Sequence, residues 1–596
     1  AAGVSLSDTN RGFLMKLVSY AEPGGGGDMV RPTDAFLRRA SDPEQWFSKA
    51  KARDCLGSLG SDAFGAVADF CSLWGAEYKV FNTASILKAQ TYGLGLAAEL
   101  RREFDALLKE KNVLGIEDSN SILRDIIDGS DAPFVYEKLG VRFENFLLDE
   151  FQDTSNVQWQ NFYPLLRESN DNGRENLVVG DVKQSIYRWR GSEWELLASR
   201  IADQFSDASQ DALLENWRST RSIVEFNNGF FRYAAGILDT MTGIEGFHDI
   251  SGIYRDGEQQ PRSSDPQEGC VEVTFCEKDA QMDEVLASIC KVRDAGAGWG
   301  DIAVLVRNNK EGGDIAASLI ASGVPVLSDD SLDVRSSATV RRLVALLSCV
   351  ENPDDSLNSY LASELDVTFP DRYHSLVDLC EGLLRELRKH DEDVFRGEVL
   401  YIQSFMDTLL DWTAQNGNNL MLFLKYWAEN SFKVSSPSDA DAVRIMTIHK
   451  SKGLEFPHVI FPFAEKVTMS GKSWHWCRPA AEGTGLEEAG KGIFPVNMTK
   501  NVQETLFESD YRKEQRLQLV DGINTFYVAL TRAGKSLHVI AAVPAAKCVE
   551  AFRSGSMYEF TDFSQLLFHY VGTDRFVSGS PYDFSAMKRD VPEAVI

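Results

Sequence analysis

An α/β fold built on parallel sheets is what this sequence predicts, and three observations carry the expectation. Short apolar runs end in Asp or Gly and pass directly into polar loops, as in FENFLLDE (143–150) and NLVVGD (176–181). Between such runs lie stretches with apolar residues at three- and four-residue spacing, the alternation that gives strands linked by crossover helices. A second set of strands, CVEVTFC (270–276), DIAVLVR (301–307), AVRIMTI (442–448), HVIFPF (458–463) and SLHVIAAV (536–543), opens after the polar, Pro- and Gly-containing stretch 254–269. Strands this apolar are buried on both faces, as parallel sheets require.

Taken in order, residues 1–25 are irregular and run into the flexible spacer Gly24–Gly27. Residues 33–130 are helical in pattern, as in TASILKAQTYGLGLAAELRREFDALLKEK (83–111). FENFLLDE is the first clear buried strand. Helical pattern returns from 336 to 432, rich in Leu and aromatic residues. The expected organisation is a mainly helical accessory region at 1–135 and part of a first core at 136–230. A second core follows at 231–345 and 436–596, with a helical insertion at 346–435. No internal repeat is visible.

The 596 residues suggest roughly three to five domains of ~100–200 residues each. A hydrophobic content of 43% with 11% aromatics fits a globular chain with sizeable cores. With 61 Lys+Arg against 89 Asp+Glu, the net charge of −28 excludes a small basic DNA-coating protein and a polybasic membrane binder. An enzyme whose positive charge is confined to one channel remains open. The nine cysteines form no C-x-x-C pair and read as buried, reduced thiols. The eight histidines form no metal-binding pattern. No apolar run reaches ~18 residues and no signal layout opens the chain, so a cytoplasmic location without a membrane partner is expected.

The strongest chemical signal is LLDEFQDT (147–154). An apolar strand delivers Asp149 and Glu150 to the carboxyl end of a sheet, where open α/β folds bind ligands. One carboxylate can hold Mg²⁺ while its neighbour orients and deprotonates an attacking water. A bare DE pair reads as an ordinary acidic strand end; the extended hexapeptide DEFQDT is far more specific.

DEFQDT resembles motif II of the UvrD/Rep/RecB-like superfamily 1 helicases, and later motifs of that family follow in order. VVGDVKQSIYRWRG (178–191) resembles motif III, and ENWRST (215–220) resembles the N-Y-R-S element of motif IV with Trp217 in place of Tyr. VRIMTIHKSKGLEF (443–456) resembles motif V and FYVALTRA (526–533) motif VI. DGINTFYVALTRA, DIAVLVRNN and SCVENPDD are most similar to the RecB/AddA branch, which implies DNA-end processing and recombinational repair. The resemblance implies two RecA-like cores, the first incomplete here, facing one another across an ATP cleft. It also implies ATP-driven 3′→5′ translocation on single-stranded DNA with duplex unwinding, and a helicase–nuclease partner subunit.

The resemblance implies roles residue by residue. Asp149 would bind Mg²⁺ and Glu150 would be the general base for ATP hydrolysis. Gln184 would sense the γ-phosphate, which Arg218 and Arg532 would reach from opposite domains. Glu455 would contact the nucleotide's sugar or the phosphate network. Tyr187, Trp189 and Arg190 would contact single-stranded DNA by stacking and phosphate binding. Thr447, His449 and Lys452 would couple nucleotide state to the strand. Taken alone, Trp189 reads as a core tryptophan, Arg218 as a surface ion pair and His449 as a loop hydrogen-bonder. Lys183 and Arg188 read as solvated.

One expected part is missing. Residues 1–148 contain no G-x-x-x-x-G-K-[ST] loop to cradle the β- and γ-phosphates. ALTRAGKS (529–536) mimics it, but the strand follows where a P-loop needs it to precede, and GLEEAGKG (485–492) lacks the hydroxyl residue. Together with Ala at position 1, this favours a fragment that lacks its first nucleotide-binding segment and hydrolyses little ATP alone. The alternative is a non-hydrolysing DNA-binding or scaffolding subunit of a helicase–nuclease complex.

Overall fold

The computed structural model describes residues 13–21, 32–47, 56, 61–127, 140–242, 250–255, 258–262, 268–328, 333–354, 358–360, 367, 369, 373–390, 392, 395, 398–432, 441–554 and 560–579. The strands in its first half are β1 Leu147–Leu148, β2 Leu177–Val178, β3 Glu215–Asn216, β4 Gln260–Pro261, β5 Cys270–Cys276, β6 Ile302–Val306 and β7 Val326–Ser328. The remainder are β8 Val443–Thr447, β9 Phe456–Phe461, β10 Trp474–Cys477, β11 Phe494–Asn497, β12 Ala533–Ala542 and β13 Arg575–Gly579. The principal helices begin with α1 Ala76–Lys111, α2 Asn156–Asp171, α3 Arg221–Thr242, α4 Gln281–Asp294 and α5 Asn309–Ala321. They continue with α6 Ala338–Glu351, α7 Leu376–His390, α8 Val399–Asn416, α9 Leu420–Glu429 and α10 Glu508–Leu530.

The chain divides into two compact units, residues 1–128 with 470–518, and residues 129–469 with 519–596. The second unit holds a seven-stranded sheet of order β13-β5-β12-β9-β6-β8-β7. All neighbours in it are parallel except β13, which caps one edge antiparallel to β5. The apolar runs read from the sequence form β5, β6, β8, β9 and β12. On one face, Val285, Ile289 and Val292 of α4 and Ile315 and Leu319 of α5 close over Val304, Val306, Ile445, Ile460 and Ile540. Burial on both faces explains why these strands are nearly continuous in Val, Ile and Ala.

The first core differs from its expectation as a clear buried strand. Only Leu147–Leu148 pairs, in parallel, with Leu177–Val178, and Leu147 is 74% exposed. Among the described residues β1 has a neighbour on one side only, so burial on both faces is not reached. Phe151, Trp159, Leu166, Leu196 and Phe205 make the local core beneath it. Ser155 starts α2 with a reciprocal cap: its Oγ accepts from Gln158 N at 3.2 Å while Gln158 Oε1 accepts from Ser155 N at 2.9 Å.

Helices α6 to α9 form the helical block between β7 and β8, packed around Phe405, Leu409, Trp412, Phe423 and Trp427. Glu398 caps α6 by accepting from Ala338 N at 2.9 Å, Thr339 N at 2.8 Å and Ser337 Oγ at 2.9 Å. Burial raises its pKa, but these bonds to the charged form outweigh burial and leave it below the usual range. In the other unit, Cys477, Val496, Met498, Val502, Phe507 and Tyr511 pack with Ile86 and Leu87 of α1. This apolar contact explains why 470–518, expected to run on within 436–596, groups with the N-terminal helices. ALTRAGKS spans the end of α10 and the start of β12, helix before strand, the reverse of a P-loop. Among the described residues no helix is long and apolar enough to cross a membrane.

Three histidines of the larger unit are held neutral. Burial, the largest cause in each, pushes His449 down to about 4, His458 to about 3 and His538 to about 4. The unfolded chain takes up these protons near pH ~6.5, so stability is full above that value and drains away as pH falls toward ~4. Thermal unfolding is expected to show a falling midpoint from about pH 7 to about pH 5, and His538→Asn to flatten that slope. An unchanged midpoint across the range would contradict burial in the neutral form.

Candidate active site

The site begins where β1 ends. Asp149 and Glu150 are both exposed, and Glu150 adopts the left-handed conformation with φ 50° and ψ 36°. A non-glycine residue there costs about 1–3 kcal/mol and needs its surroundings to hold it. Its amide donates to Asp149 Oδ1 at 2.8 Å. The next residue, Phe151, is locked edge-on against Trp159 with centroids 5.2 Å apart. Gln152, buried, does most of the fastening. Its Nε2 donates to Glu150 Oε2 at 2.5 Å, its Oε1 accepts Asp181 N at 3.0 Å, and its carbonyl accepts Ser185 Oγ at 3.2 Å. A Cβ at position 180 would stand 2.6 Å from Gln152 Oε1 and 2.8 Å from Leu197 Cδ2, so any larger residue there would displace the Gln152 side chain from its bonds.

The segment after β2 is a tight turn, Val182–Gln184, capped by Asp181. The Asp181 carboxylate accepts from Lys183 N at 3.0 Å, Lys183 Nζ at 2.6 Å and Gln184 Nε2 at 3.1 Å. Lys183, expected to be solvated, is thus a largely buried ion-pair partner. Arg188 is corrected in the same way: its Nε lies 2.6 Å from Asp521 Oδ2 on α10. Helix α10 grips the turn again three residues on. Asn524, fully buried, donates from Nδ2 to Val182 O at 2.9 Å and Ser185 O at 3.1 Å, and its Oδ1 accepts from Tyr254 Oη at 2.8 Å.

Arg218 and Arg532 stand together at the amino ends of β9 and β12. Asn216 Oδ1 accepts from the amides of Arg218 and Ser219 at 3.0 and 2.8 Å, and Ser219 Oγ donates to Ala533 O at 2.7 Å. Arg218 Nε lies 3.2 Å from Glu455 Oε2, and its Nη1 is 3.4 Å from Thr531 O. Arg532 is 1% exposed and donates only to neutral acceptors: Val528 O at 3.0 Å, Leu454 O at 3.3 Å and Thr531 Oγ1 at 3.0 Å. Among the described residues no carboxylate forms an ion pair with it. Burial and then the like charge of Arg218 push it down to about 10, against the weaker pull of Tyr527, Asp181 and Glu150. Two guanidinium groups close enough to oppose each other make a place for a compact polyanion, while the nearby negative charges of Glu150 and Asp181 act against it. Trp217 is exposed beneath the Arg262 guanidinium, 4.1 Å from its ring centroid.

A second group of predicted residues gathers at the carboxyl ends of β6 and β8. Trp189 is 67% exposed, with the Arg190 guanidinium 4.6 Å from its centroid and 5.6 Å from that of Tyr187. His449 lies 6.0 Å from the Tyr187 ring and 6.4 Å from that of Trp189, and its carbonyl accepts from Tyr187 Oη at 2.9 Å. Arg307, unmarked in the sequence, brings Nη1 to 3.3 Å from His449 Nδ1. Thr447 is buried as the last residue of β8, opposite Val306. Lys452 has an almost fully buried side chain, 2.5 Å from Asp153 Oδ2, 3.8 Å from Glu150 Oε2 and 4.9 Å from the Tyr187 centroid. Burial raises Asp153 despite Lys452. Lys452 thereby joins the carboxylate end of the site to its aromatic end.

Gln152 and Asp153 lie inside the DEFQDT motif and could have been found there. Asp521 and Asn524 lie inside the quoted segment DGINTFYVALTRA, but nothing in that pattern assigned either of them a partner.

Residues 69–204 match the UvrD/REP helicase N-terminal domain family, and residues 212–371 and 371–543 match the UvrD-like helicase C-terminal domain family. A subunit of the ATP-dependent helicase/nuclease of Clostridium botulinum is 24% identical over 578 residues, covering 78% of this chain and 46% of that protein. The RecB subunit of the RecBCD enzyme of Mycolicibacterium smegmatis is 26% identical over 429 residues, covering 62% and 38%. The corresponding ATP-dependent helicase/nuclease subunit of Streptococcus thermophilus is 25% identical over 497 residues, covering 67% and 40%. The chain spans under half the length of these curated relatives.

Asn524→Leu would leave the half-buried Val182 carbonyl, the buried Ser185 carbonyl and the Tyr254 hydroxyl without their partner. Each unpaired group costs about 1–3 kcal/mol, so hydrogen exchange at amides 182–187 is expected to accelerate by tenfold or more. Exchange unchanged there would show that the turn is held by other contacts.

Proposed function

Because the chain belongs to the UvrD-like helicase family, we propose that it is the motor portion of an ATP-dependent DNA helicase. It translocates 3′→5′ on single-stranded DNA and serves end processing in repair or recombination beside a nuclease-bearing partner. The observation that carries this reading is Arg532: a buried guanidinium without a carboxylate partner, set against Arg218 and near Glu150. That donor set fits the outer phosphates of ATP. Asp149, an exposed carboxylate at a strand end, suits Mg²⁺. Among the described residues no three His, Cys, Asp or Glu side chains form a metal cage, and a cation shared with substrate phosphates needs none.

The roles follow from position. Asp149 would hold a Mg²⁺, and that ion would supply positive charge to offset the charge of the nucleotide's phosphates. Glu150, turned outward by its left-handed backbone, takes the proton of the attacking water. Gln184 reports the γ-phosphate through the turn that Asn524 holds. Arg218 and Arg532 stabilise charge on the transferring phosphoryl group, and Glu455, paired with Arg218 before substrate arrives, releases it on binding. Tyr187, Trp189 and Arg190 stack on bases and meet phosphate, with Thr447, His449 and Lys452 as the link behind them. On this reading 136–230 belongs to one RecA-like core, and the seven-stranded sheet forms the other.

The missing G-x-x-x-x-G-K-[ST] pattern is also compatible with one second reading, a non-hydrolysing DNA-binding or scaffolding subunit. Residues 1–596 assayed alone are expected to hydrolyse little ATP, and robust turnover would show that another segment cradles the phosphates.

In the full-length protein, Glu150→Gln is expected to cut DNA-stimulated ATPase turnover by about 10²–10⁴-fold while single-strand binding survives. Unchanged turnover would refute the general-base assignment. Trp189→Ala is expected to weaken oligonucleotide binding by about 1–3 kcal/mol with the unfolding midpoint unmoved. A collapsed fold would instead mark a core tryptophan.

A further inference from the structure

In the compact unit of residues 1–128 and 470–518, one face of the β10–β11 ribbon is built unlike the rest of the surface. Along β10 the side chains alternate. Trp474 and Trp476 are 61% and 62% exposed, whereas Cys477 is buried and His475 Nε2 lies 3.1 Å from Glu514 Oε1. The same period of two carries the outward face to Lys472 before the strand and Arg478 after it, both exposed. Read outward, the row is Lys, Trp, Trp, Arg. Asn497 and Pro495 stand opposite the two tryptophans, so no carboxylate belongs to this face of the paired strands. Neither Lys472 nor Arg478 forms an ion pair among the described residues.

The inward side does the folding. Cys477 packs with Val496, Met498, Val502 and Phe507, and Ser473 Oγ donates to Glu514 Oε1 at 3.1 Å. The tryptophans are therefore surplus to the core and presented on a ribbon anchored from behind. Residues two apart on a strand are separated by about 6.8 Å, twice the 3.4 Å rise of stacked bases, so a base can lie between the two indoles or against each. In a chain of net charge −28, a face with a cation at each end and no carboxylate selects a polyanion, and exposed indoles between the cations select one with flat faces.

We propose that the β10–β11 ribbon is a second single-stranded nucleic-acid contact, with Trp474 and Trp476 stacking on bases and Lys472 and Arg478 meeting the flanking phosphates. It does not depend on the ATP site. The test uses the full chain and a fluorescein-labelled oligothymidylate of about twenty nucleotides, followed by anisotropy across salt. Trp474→Ala with Trp476→Ala is expected to weaken binding about tenfold or more, and the paired Phe variants to retain most of it. Lys472→Ala with Arg478→Ala is expected to lower the slope of log affinity against log salt by about 1.4. Photo-crosslinking to a bromodeoxyuridine strand is expected to label residues 472–478, and to do so still in Trp189→Ala. Affinity within about twofold of the parent in the tryptophan double variant, with unchanged circular dichroism, would overturn the proposal. So would crosslinks confined to other segments, a change only in self-association, or no oligonucleotide binding by the chain at all. Binding weakened by Trp189→Ala but unchanged by Trp474→Ala with Trp476→Ala would overturn this contact and leave the active-site reading standing.

Discussion

Two hydrogen bonds from one side-chain amide set the geometry of the site: Asn524 Nδ2 to Val182 O and to Ser185 O. The turn between those carbonyls holds Lys183 and Gln184 against Asp181. After Ile186 come Tyr187, Arg188, Trp189 and Arg190. Helix α10 supplies the clamp and leads directly to Arg532. A shift of α10 relative to the turn must therefore either break buried hydrogen bonds or carry the aromatic row with it. Packed interiors move between discrete arrangements and do not stretch continuously, so the second outcome is the cheaper. The Arg188–Asp521 pair on the same helix pulls in the same direction.

The two ends of the seven-stranded sheet divide the chemistry. Glu455 and Arg532 sit at the amino ends of β9 and β12, whereas Arg307, Thr447 and His449 sit at the carboxyl ends of β6 and β8. The parallel run of strands from β5 to β7 makes this division possible, because those strands point one way and each end carries a different set of loops. The acid surplus of the whole chain takes on a local meaning. In DVKQSIYRWR and RIMTIHKSKGLE three basic residues stand against one acidic. Yet Lys183, Arg188 and Lys452 are each consumed by a carboxylate, leaving Arg190 exposed on the aromatic surface. Counting charges along a motif overstates the positive field there.

Much of this was legible beforehand, and the pattern of what was not is physical. The strands of the large sheet could be read because burial on both faces demands unbroken apolar runs. β1 and β2 looked the same in sequence but pair over two residues only, since a strand's burial depends on neighbours that a single run does not reveal. Gln152 was in view within DEFQDT, while its work of joining two strand ends appears only when Gly180 and Asp181 are beside it. Asn524 stood in view within DGINTFYVALTRA, but a polar residue within a helix reads as solvent-facing unless its partners, 339 and 342 residues away, are known. The Lys472, Trp474, Trp476, Arg478 row shows the converse. Its alternation is plain in the sequence but acquires meaning only once β10 is seen to expose it.

The site also concentrates local departures from good folding practice. Glu150 occupies a left-handed backbone at about 1–3 kcal/mol, Arg532 is buried without a carboxylate, and Asp153 is held in surroundings that raise its pKa. Hydrogen bonds to a charged group return about 1.5–3 kcal/mol each, which lets Arg532 persist but does not explain why a guanidinium was placed there. An apolar side chain of similar volume would serve stability as well or better. A buried guanidinium bonded only to neutral acceptors keeps its charge free to meet an anion, and an exposed carboxylate at a strand end is free to meet a cation. Folding rules broken together in one place argue for chemistry at that place.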